Sequence, residues 1–227
     1  MDATKNGMYQ KNTSHTPVPL KSVSIQARVD GFLSYTHIYQ EYWNNETSPI
    51  EVEYTFPLLE GQVVRSLEIE LTSGHVVKAK VEEIEKAREK YDDTIASGNT
   101  ALMMQNSGSN TQYVLSIGNI PRKSGVKANL IVVSPLKCES SQWSYNLPSN
   151  VFATGAKYAT SFKLRINAMS AILNVNCEES SLKIVNRGKS ADITSGKASL
   201  AGKDLSVTFT TQEDGVPSAL LQRNISG

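Results

Sequence analysis

Residues 81–98, VEEIEKAREKYDDTIASG, form the one long segment of this chain whose apolar residues recur at helical rather than strand spacing. Its apolar side chains lie three or four residues apart, which places them on one face of a helix: Ile84, Ala87, Tyr91 and Ile95. The carboxylates of Glu82 and Glu83 in the first turn and Gly98 at the end are typical of helix termini. Because the other periodic stretches alternate as strands do, the sequence predicts one amphipathic helix lying on a β-sheet.

The segment before this helix shows strand periodicity. Residues 22–29 alternate between apolar and polar types, as expected for a half-buried strand, and Asp30 with Gly31 then gives the strongest hairpin signal in the chain. Residues 32–43 are its expected partner strand, and their pattern leaves open which face is buried. Residues 1–17 carry no periodicity and are interpreted as a flexible lead.

The segment after Pro135 contains no further helix signal. Short alternating stretches follow one another there at the intervals typical of a β-sandwich, separated by turns rich in Ser, Gly, Asn and Asp. We therefore predict a mainly β chain. A β-sandwich-like domain with the one amphipathic helix covers residues 18–136, and a second β-sandwich-like, β-rich linking unit covers residues 137–227.

Composition argues against several classes of partner. The 227 residues contain 23 Lys and Arg against 22 Asp and Glu, a formal net charge of +1, so no strong field is available to attract nucleic acid. No apolar run reaches the roughly 18–20 residues of a membrane span, so membrane insertion is not expected. The polar start lacks the apolar centre of a secretory signal, which predicts a cytoplasmic location if Met1 is native and leaves secretion open if it is not.

The sequence contains no recognisable catalytic, cofactor-binding or metal site. The histidines His15, His37 and His75 are not spaced as metal ligands, and Cys138 and Cys177 are too sparse for a structural zinc site or a disulfide framework. No nucleophile has a base near it in sequence, and no phosphate-binding loop is present. We therefore expect a non-enzymatic protein without a cofactor.

Two loops are candidates for contacts with a protein partner, which the sequence does not identify. One is NSGSN at 106–110, where Asn106, Ser107 and Gly108 form a polar tip. The other is GNIPRKSG at 118–125, whose Arg122 and Lys123 could meet an acidic partner, although a solvated loop is the simpler interpretation.

Four stretches in order resemble the vault protein inter-alpha-trypsin domain, which occurs in inter-alpha-trypsin inhibitor heavy chains, in vault poly(ADP-ribose) polymerase and in intracellular von Willebrand A-domain proteins. They are VPLKSVSI at 18–25, PIEVEYTFPLLEG at 49–61, KAREKYDDTIASG at 86–98 and VLSIGNIPRKSGVKANL at 114–130. Residues 137–227 resemble the β region that links this domain to the A domain in the intracellular members. The matching stretches are QWSYNLPSNV at 142–151 and DGVPSALLQ at 214–222.

The resemblance implies a protein–protein interaction or scaffold module that precedes and contacts a downstream von Willebrand A domain in a longer protein. Two alternatives remain open. One is the N-terminal part of a secreted matrix protein like the inhibitor heavy chains, and the other is an accessory domain of an enzyme like vault poly(ADP-ribose) polymerase. The D-x-S-x-S metal motif of the A domain is absent, because DIT at 192–194 continues as Ser-Gly-Lys, so no metal site is carried over.

Overall fold

The computed structural model describes residues 6–11, 14–78, 93–94, 96–97, 102–106, 112–151, 158–195, 200 and 202–212. Within them the chain forms strands, one short 3₁₀ helix at Ser149–Val151, and α-helical residues at 93, 94 and 96. The strands are β1 (Gly7–Gln10), β2 (Leu20–Asp30), β3 (Leu33–Trp43), β4 (Ile50–Pro57), β5 (Val63–Leu71), β6 (Val76–Lys78), β7 (Leu102–Asn106), β8 (Gln112–Ile120), β9 (Gly125–Pro135), β10 (Lys137–Glu139), β11 (Gln142–Leu147), β12 (Ala159–Asn167), β13 (Ile172–Cys177), β14 (Leu182–Asn186), β15 (Ser190–Ser195) and β16 (Leu205–Thr211). The prediction of a mainly β chain is confirmed.

The strands form one large sheet and two small ones. The large sheet has eight strands in the order β14-β15-β12-β2-β3-β9-β5-β6, and the small sheets have the orders β1-β4-β8-β7 and β10-β11-β16-β13. The inward side chains of β3 reach both small sheets, because Thr36 is hydrogen-bonded to Tyr145 of β11 and Gln40 to Tyr54 of β4. The large sheet is therefore one layer, and both small sheets cover its inner face over a shared apolar core.

The β2–β3 hairpin lies at the centre of the large sheet, as its alternation predicts. Asp30 pairs with Leu33, so the loop consists of Gly31 and Phe32, and Gly31 has a φ of 60°. A positive φ at the first loop residue alone is the pattern of a type II′ turn, which a glycine adopts without strain. The buried face of β3, which the sequence left open, carries Ser34, Thr36, Ile38, Gln40 and Tyr42.

The large sheet continues across the predicted domain boundary at residue 136. Strand β12 runs parallel to β2, with pairs from Ala159 and Ser22 to Asn167 and Asp30, and β15 and β14 extend the sheet beyond it. Phe162, Leu164 and Ile166 of β12 are buried in the same core as Ile25 and Val29 of β2. The boundaries 18–136 and 137–227 remain a prediction, and the sheet gives a way to test them.

A buried amide joins the two halves of the chain at this sheet. The Gln40 Nε2 atom donates to the carbonyl oxygen of Val151 at 3.1 Å, and its Oε1 atom accepts from the Tyr42 hydroxyl at 3.0 Å and the Tyr54 hydroxyl at 2.7 Å. Burial raises the pKa of both tyrosines, so their hydroxyls stay protonated and remain donors. Gln40 is only 4% exposed, so water does not replace these bonds.

Two predictions need correction or fall outside the described residues. The flexible lead over residues 1–17 is wrong for Gly7–Gln10, which pair with β4 and place Met8 in the core at 1% exposure. A strand of four residues is too short to show a period in sequence, which is why it was missed.

The helix at 81–98 lies largely outside the described residues, and so does the stretch 214–222. Asp93, Thr94 and Ala96 are helical, and the Ser97 amide donates to the Asp93 carbonyl, but the amphipathic helix is not shown.

Candidate interaction surfaces

The two predicted loops do not come together. Asn106 ends β7 and pairs with Tyr113 at one end of β8, whereas Arg122 and Lys123 lie in the turn after its other end. Because β8 has nine residues at about 3.3 Å each, these sites are roughly 25 Å apart. Ser107 and Gly108 lie outside the described residues.

The turn that carries Arg122 and Lys123 is fixed by a buried asparagine. The side-chain Nδ2 atom of Asn44 donates to the carbonyl oxygens of Ile120 at 3.2 Å and Pro121 at 2.9 Å. The backbone N–H of Asn44 donates to the carbonyl oxygen of Ser124 at 2.8 Å. Lys123 Nζ donates to the carbonyl oxygen of Asn45, so this side chain helps to stabilise the loop. Arg122 is exposed and is the member of this predicted pair that remains open to a partner.

The outer face of the large sheet carries a basic row that sequence reasoning missed. Arg165 on β12 is the register partner of Arg28 on β2, which is in turn the partner of Tyr35 on β3. The side chains of Arg28 and Arg165 are 58% and 50% exposed. Register partners lie side by side on one face of a sheet, so these side chains form a line across the strands.

A third arginine reaches this line from β5. The ladder between β5 and β9 is irregular between Val64 and Ser66, and the residue at this irregularity, Arg65, is exposed. The guanidinium carbon of Arg65 lies 5.8 Å from the Tyr35 ring centroid, and that of Arg28 lies 5.4 Å from it. Both distances allow a cation–π interaction, which holds the two guanidinium groups beside one ring. We name Arg65, Tyr35, Arg28 and Arg165 the arginine row.

Carboxylates balance this row only in part. Asp30 pairs with Arg28 at 2.6 Å, and Asp192 lies 3.9 Å from Arg165 and 3.6 Å from Arg187. Among the described residues no carboxylate pairs with Arg65. At the other end of the same face the charges are matched in pairs, Lys78 with Glu68 and Lys127 with Glu70. Positive charge is therefore concentrated at one end of the outer face.

The imidazole of His37 responds to this charge. It lies next to Tyr35 on the same face of β3, and its Nδ1 atom is 3.2 Å from the Tyr39 hydroxyl. Burial lowers the pKa of His37, and the positive charges of Arg65 and Arg28 lower the pKa further. His37 and Tyr39 line a shallow groove of about 180 Å³ with Ser66 and Glu68 of β5 and Asn129 of β9.

Removing one of these arginines should change the titration of His37. We expect Arg65→Gln to raise the pKa of His37 toward its ordinary value, because a positive charge that disfavours the imidazolium is lost. Proton NMR of the imidazole ring over a pH series measures this pKa. Arg122→Gln is the matched control, since Arg122 is an exposed arginine away from the row, and an equal rise in that variant would contradict the assignment.

A second surface feature is an apolar end beside the β2–β3 turn. Phe32 and Leu33 are 46% and 37% exposed, and the Phe32 ring centroid lies 5.3 Å from that of Trp143. We name these three residues the apolar end. Trp143 pairs with Phe209 near the end of β16, so the chain leaves its last described strand at this place. Exposed apolar side chains grouped in this way are typical of contact surfaces.

The described residues contain no group of three or more His, Cys, Asp and Glu side chains that could hold a metal ion. Cys138 is exposed and Cys177 half-buried, and both are free thiols. In the same part of the chain no helix is long and apolar enough to cross a membrane.

Comparison with known proteins identifies the first half. Residues 20–132 match the family described as the Vault protein inter-alpha-trypsin domain. The chain belongs to the vault protein inter-alpha-trypsin (VIT) domain family. The VIT match includes β2, β3, β4, β5 and most of β9, and thus the centre of the large sheet with Gln40, Arg28 and Arg65.

Relatives of this VIT-domain chain are longer proteins. A von Willebrand factor A domain-containing protein of Dictyostelium discoideum is 30% identical over 215 residues, covering 91% of this chain and 23% of that protein. Human von Willebrand factor A domain-containing protein 5A is 30% identical over 125 residues, covering 55% of this chain and 16% of that protein. Mouse protein mono-ADP-ribosyltransferase PARP4 is 30% identical over 141 residues, covering 62% of this chain and 7% of that protein. The chain thus spans less than a quarter of each relative, and the Dictyostelium match extends well beyond the VIT domain.

One solved structure supports the architecture of both halves. A putative nutrient binding protein of Legionella pneumophila superposes on 91% of this chain and 70% of its own, with a TM-score of 0.53 and 9% sequence identity. This likeness concerns the fold alone.

Proposed function

We propose that this VIT-family chain is a non-enzymatic, cytoplasmic protein–protein interaction module that supports an adjoining von Willebrand A domain within a longer protein. The observation that carries the proposal is the match over 91% of the chain to a protein named for its A domain. Because that match runs through both halves, it supports a role that both halves share rather than one confined to residues 20–132. The absence of recognised catalytic motifs in the sequence agrees with a binding role.

The apolar end supplies a surface for such a neighbour. Phe32 and Leu33 would lose water contact on docking, which stabilises a complex by about 25 cal/mol for each Å² of apolar area buried. The surface lies close to Thr211, where the last described strand ends. Trp143 beneath Phe32 gives the surface a rigid aromatic base, a residue type enriched in interface centres.

Sequencing the native transcript beyond Gly227 is the first step of the test, and the encoded segment is then produced separately. We expect that segment to bind the 227-residue chain, and Phe32→Asp to weaken the binding about tenfold, because a charge placed in an apolar contact is desolvated without a partner. Isothermal titration calorimetry measures both affinities.

Val76→Asp is the matched control, since Val76 is an exposed valine on β6 at the far edge of the large sheet. A transcript without an A domain would contradict the proposal. Equal weakening by Phe32→Asp and Val76→Asp would contradict the assignment to the apolar end.

The match to mouse PARP4 favours a second version of the same role. In that version the chain is an accessory interaction domain of an ADP-ribosyltransferase, whose catalytic region would lie outside these residues. A transcript that encodes a transferase domain rather than an A domain would favour it.

A further inference from the structure

We propose that the arginine row binds a short acidic segment of a partner protein, held in extended conformation across the strands of the large sheet. This surface involves other residues than the apolar end, so the two proposals can fail independently.

The length of the row suits a short peptide. Adjacent strands are about 4.8 Å apart, so the distance from β12 to β5, across β2, β3 and β9, is roughly 19 Å. An extended peptide of six residues covers about 20 Å, and its alternate side chains lie on one side at spacings of roughly 6.6 Å. Acidic residues at every second position would therefore place three carboxylates along the length of the row.

The arginines have hydrogen-bonding capacity left for a carboxylate. Arg65 pairs with no carboxylate of the described residues, and its guanidinium is steadied by the Tyr35 ring at 5.8 Å. The contact between Arg165 and Asp192, at 3.9 Å, is too long for a hydrogen bond. A planar guanidinium binds a carboxylate through two parallel hydrogen bonds, so Arg65 and Arg165 are each able to take one acidic side chain.

The distribution of acids on the face favours a peptide over a nucleic acid. Asp30 and Asp192 lie beside the row, and Glu41, Glu68 and Glu70 occupy the other end of the same face. A long polyanion would meet these carboxylates as well as the arginines, and a net charge of +1 gives it no general attraction. A segment of about six residues meets the basic end alone.

The test measures fluorescence anisotropy with a fluorescein-labelled six-residue peptide of alternating Glu and Ser, and with the same peptide carrying Lys in place of Glu. We expect the acidic peptide to bind the 227-residue chain, to lose affinity as salt rises, and to bind more tightly than the basic one. Arg65→Gln should weaken binding roughly threefold, and Arg28→Gln with Arg65→Gln about tenfold. Lys21→Gln is the control, since Lys21 is an exposed cation at the opposite end of β2 from Arg28, and it should leave the affinity unchanged.

Several results would overturn the proposal. They are equal binding of the acidic and basic peptides, equal weakening by Arg65→Gln and Lys21→Gln, or tighter Arg65-dependent binding of single-stranded oligothymidine or anionic lipid vesicles. Arg28→Gln also removes the ion pair with Asp30 and could destabilise the double variant. In that case the affinity of the single variant Arg65→Gln decides the test, because Arg65 is exposed. The pKa of His37 gives a second readout, because bound carboxylates beside Arg65 should raise the His37 pKa, and an unchanged value would count against the site.

Discussion

Gln40→Leu is expected to lower the free energy of unfolding by about 3–4 kcal/mol, because two buried hydroxyls and one half-buried carbonyl lose their partner at once. The leucine has a similar volume but leaves the hydroxyls of Tyr42 and Tyr54 and the carbonyl of Val151 without the amide. Each unsatisfied buried group costs roughly 1–3 kcal/mol, and partial relaxation reduces the sum. Urea denaturation followed by circular dichroism measures the change.

Gln26→Leu is the matched control, since Gln26 is an exposed glutamine on β2, and we expect a change within about 0.5 kcal/mol. A double variant tests the cause. Tyr54→Phe removes one of the orphaned hydroxyls, so Gln40→Leu with Tyr54→Phe should cost less than the two single changes added together. Strict additivity would mean that Gln40 acts by packing rather than by hydrogen bonding.

Leu164→Ala is expected to destabilise both halves of the chain together by about 3 kcal/mol, within the 2–5 kcal/mol typical of a buried leucine truncated to alanine. Leu164 is fully buried in β12, and its register partner Ala27 on β2 belongs to the first half. Each half contains one of the two tryptophans, Trp43 and Trp143. Urea unfolding of Trp43→Phe and Trp143→Phe backgrounds therefore reports each half separately by fluorescence.

If the sheet makes one cooperative unit, Leu164→Ala lowers the midpoints reported by Trp43 and Trp143 equally. An unchanged midpoint for Trp43 would instead support independent domains divided at residue 136. Leu173→Ala is the control, since Leu173 is 65% exposed and its truncation should leave both midpoints in place.

The hairpin at the centre of the fold could be predicted from the sequence because its signals are local. Alternation over residues 22–29 and the Asp30 and Gly31 pair lie within a few residues of the contacts they specify. The buried face of β3 could not be assigned, because that face carries Thr36 and Gln40. Their partners Tyr145 and Val151 lie 109 and 111 residues away, so nothing near these polar residues in sequence marks them as buried.

The same reason explains which surface features were found. Arg122 and Lys123 belong to one loop, so a search of adjacent residues finds them. The arginine row combines Arg65, Arg28 and Arg165, which become neighbours only through pairing of β2 with β12 and through the local irregularity in β5. The alternation of residues within a strand does not show which distant strand pairs with it, so the sequence pattern could not bring these arginines together.

The parallel pairing of β2 with β12 also sets the order of events while the chain is synthesised. Ser24 and its hydrogen-bonded neighbour Ser161 are 137 residues apart, so β2 leaves the ribosome long before the strand that closes its open side. At about 5–20 residues per second this interval lasts between roughly 7 and 27 seconds. During that time the β2–β3 hairpin presents an unpaired strand edge to the surrounding cell, and a chaperone that covers this edge would raise the yield of the folded chain.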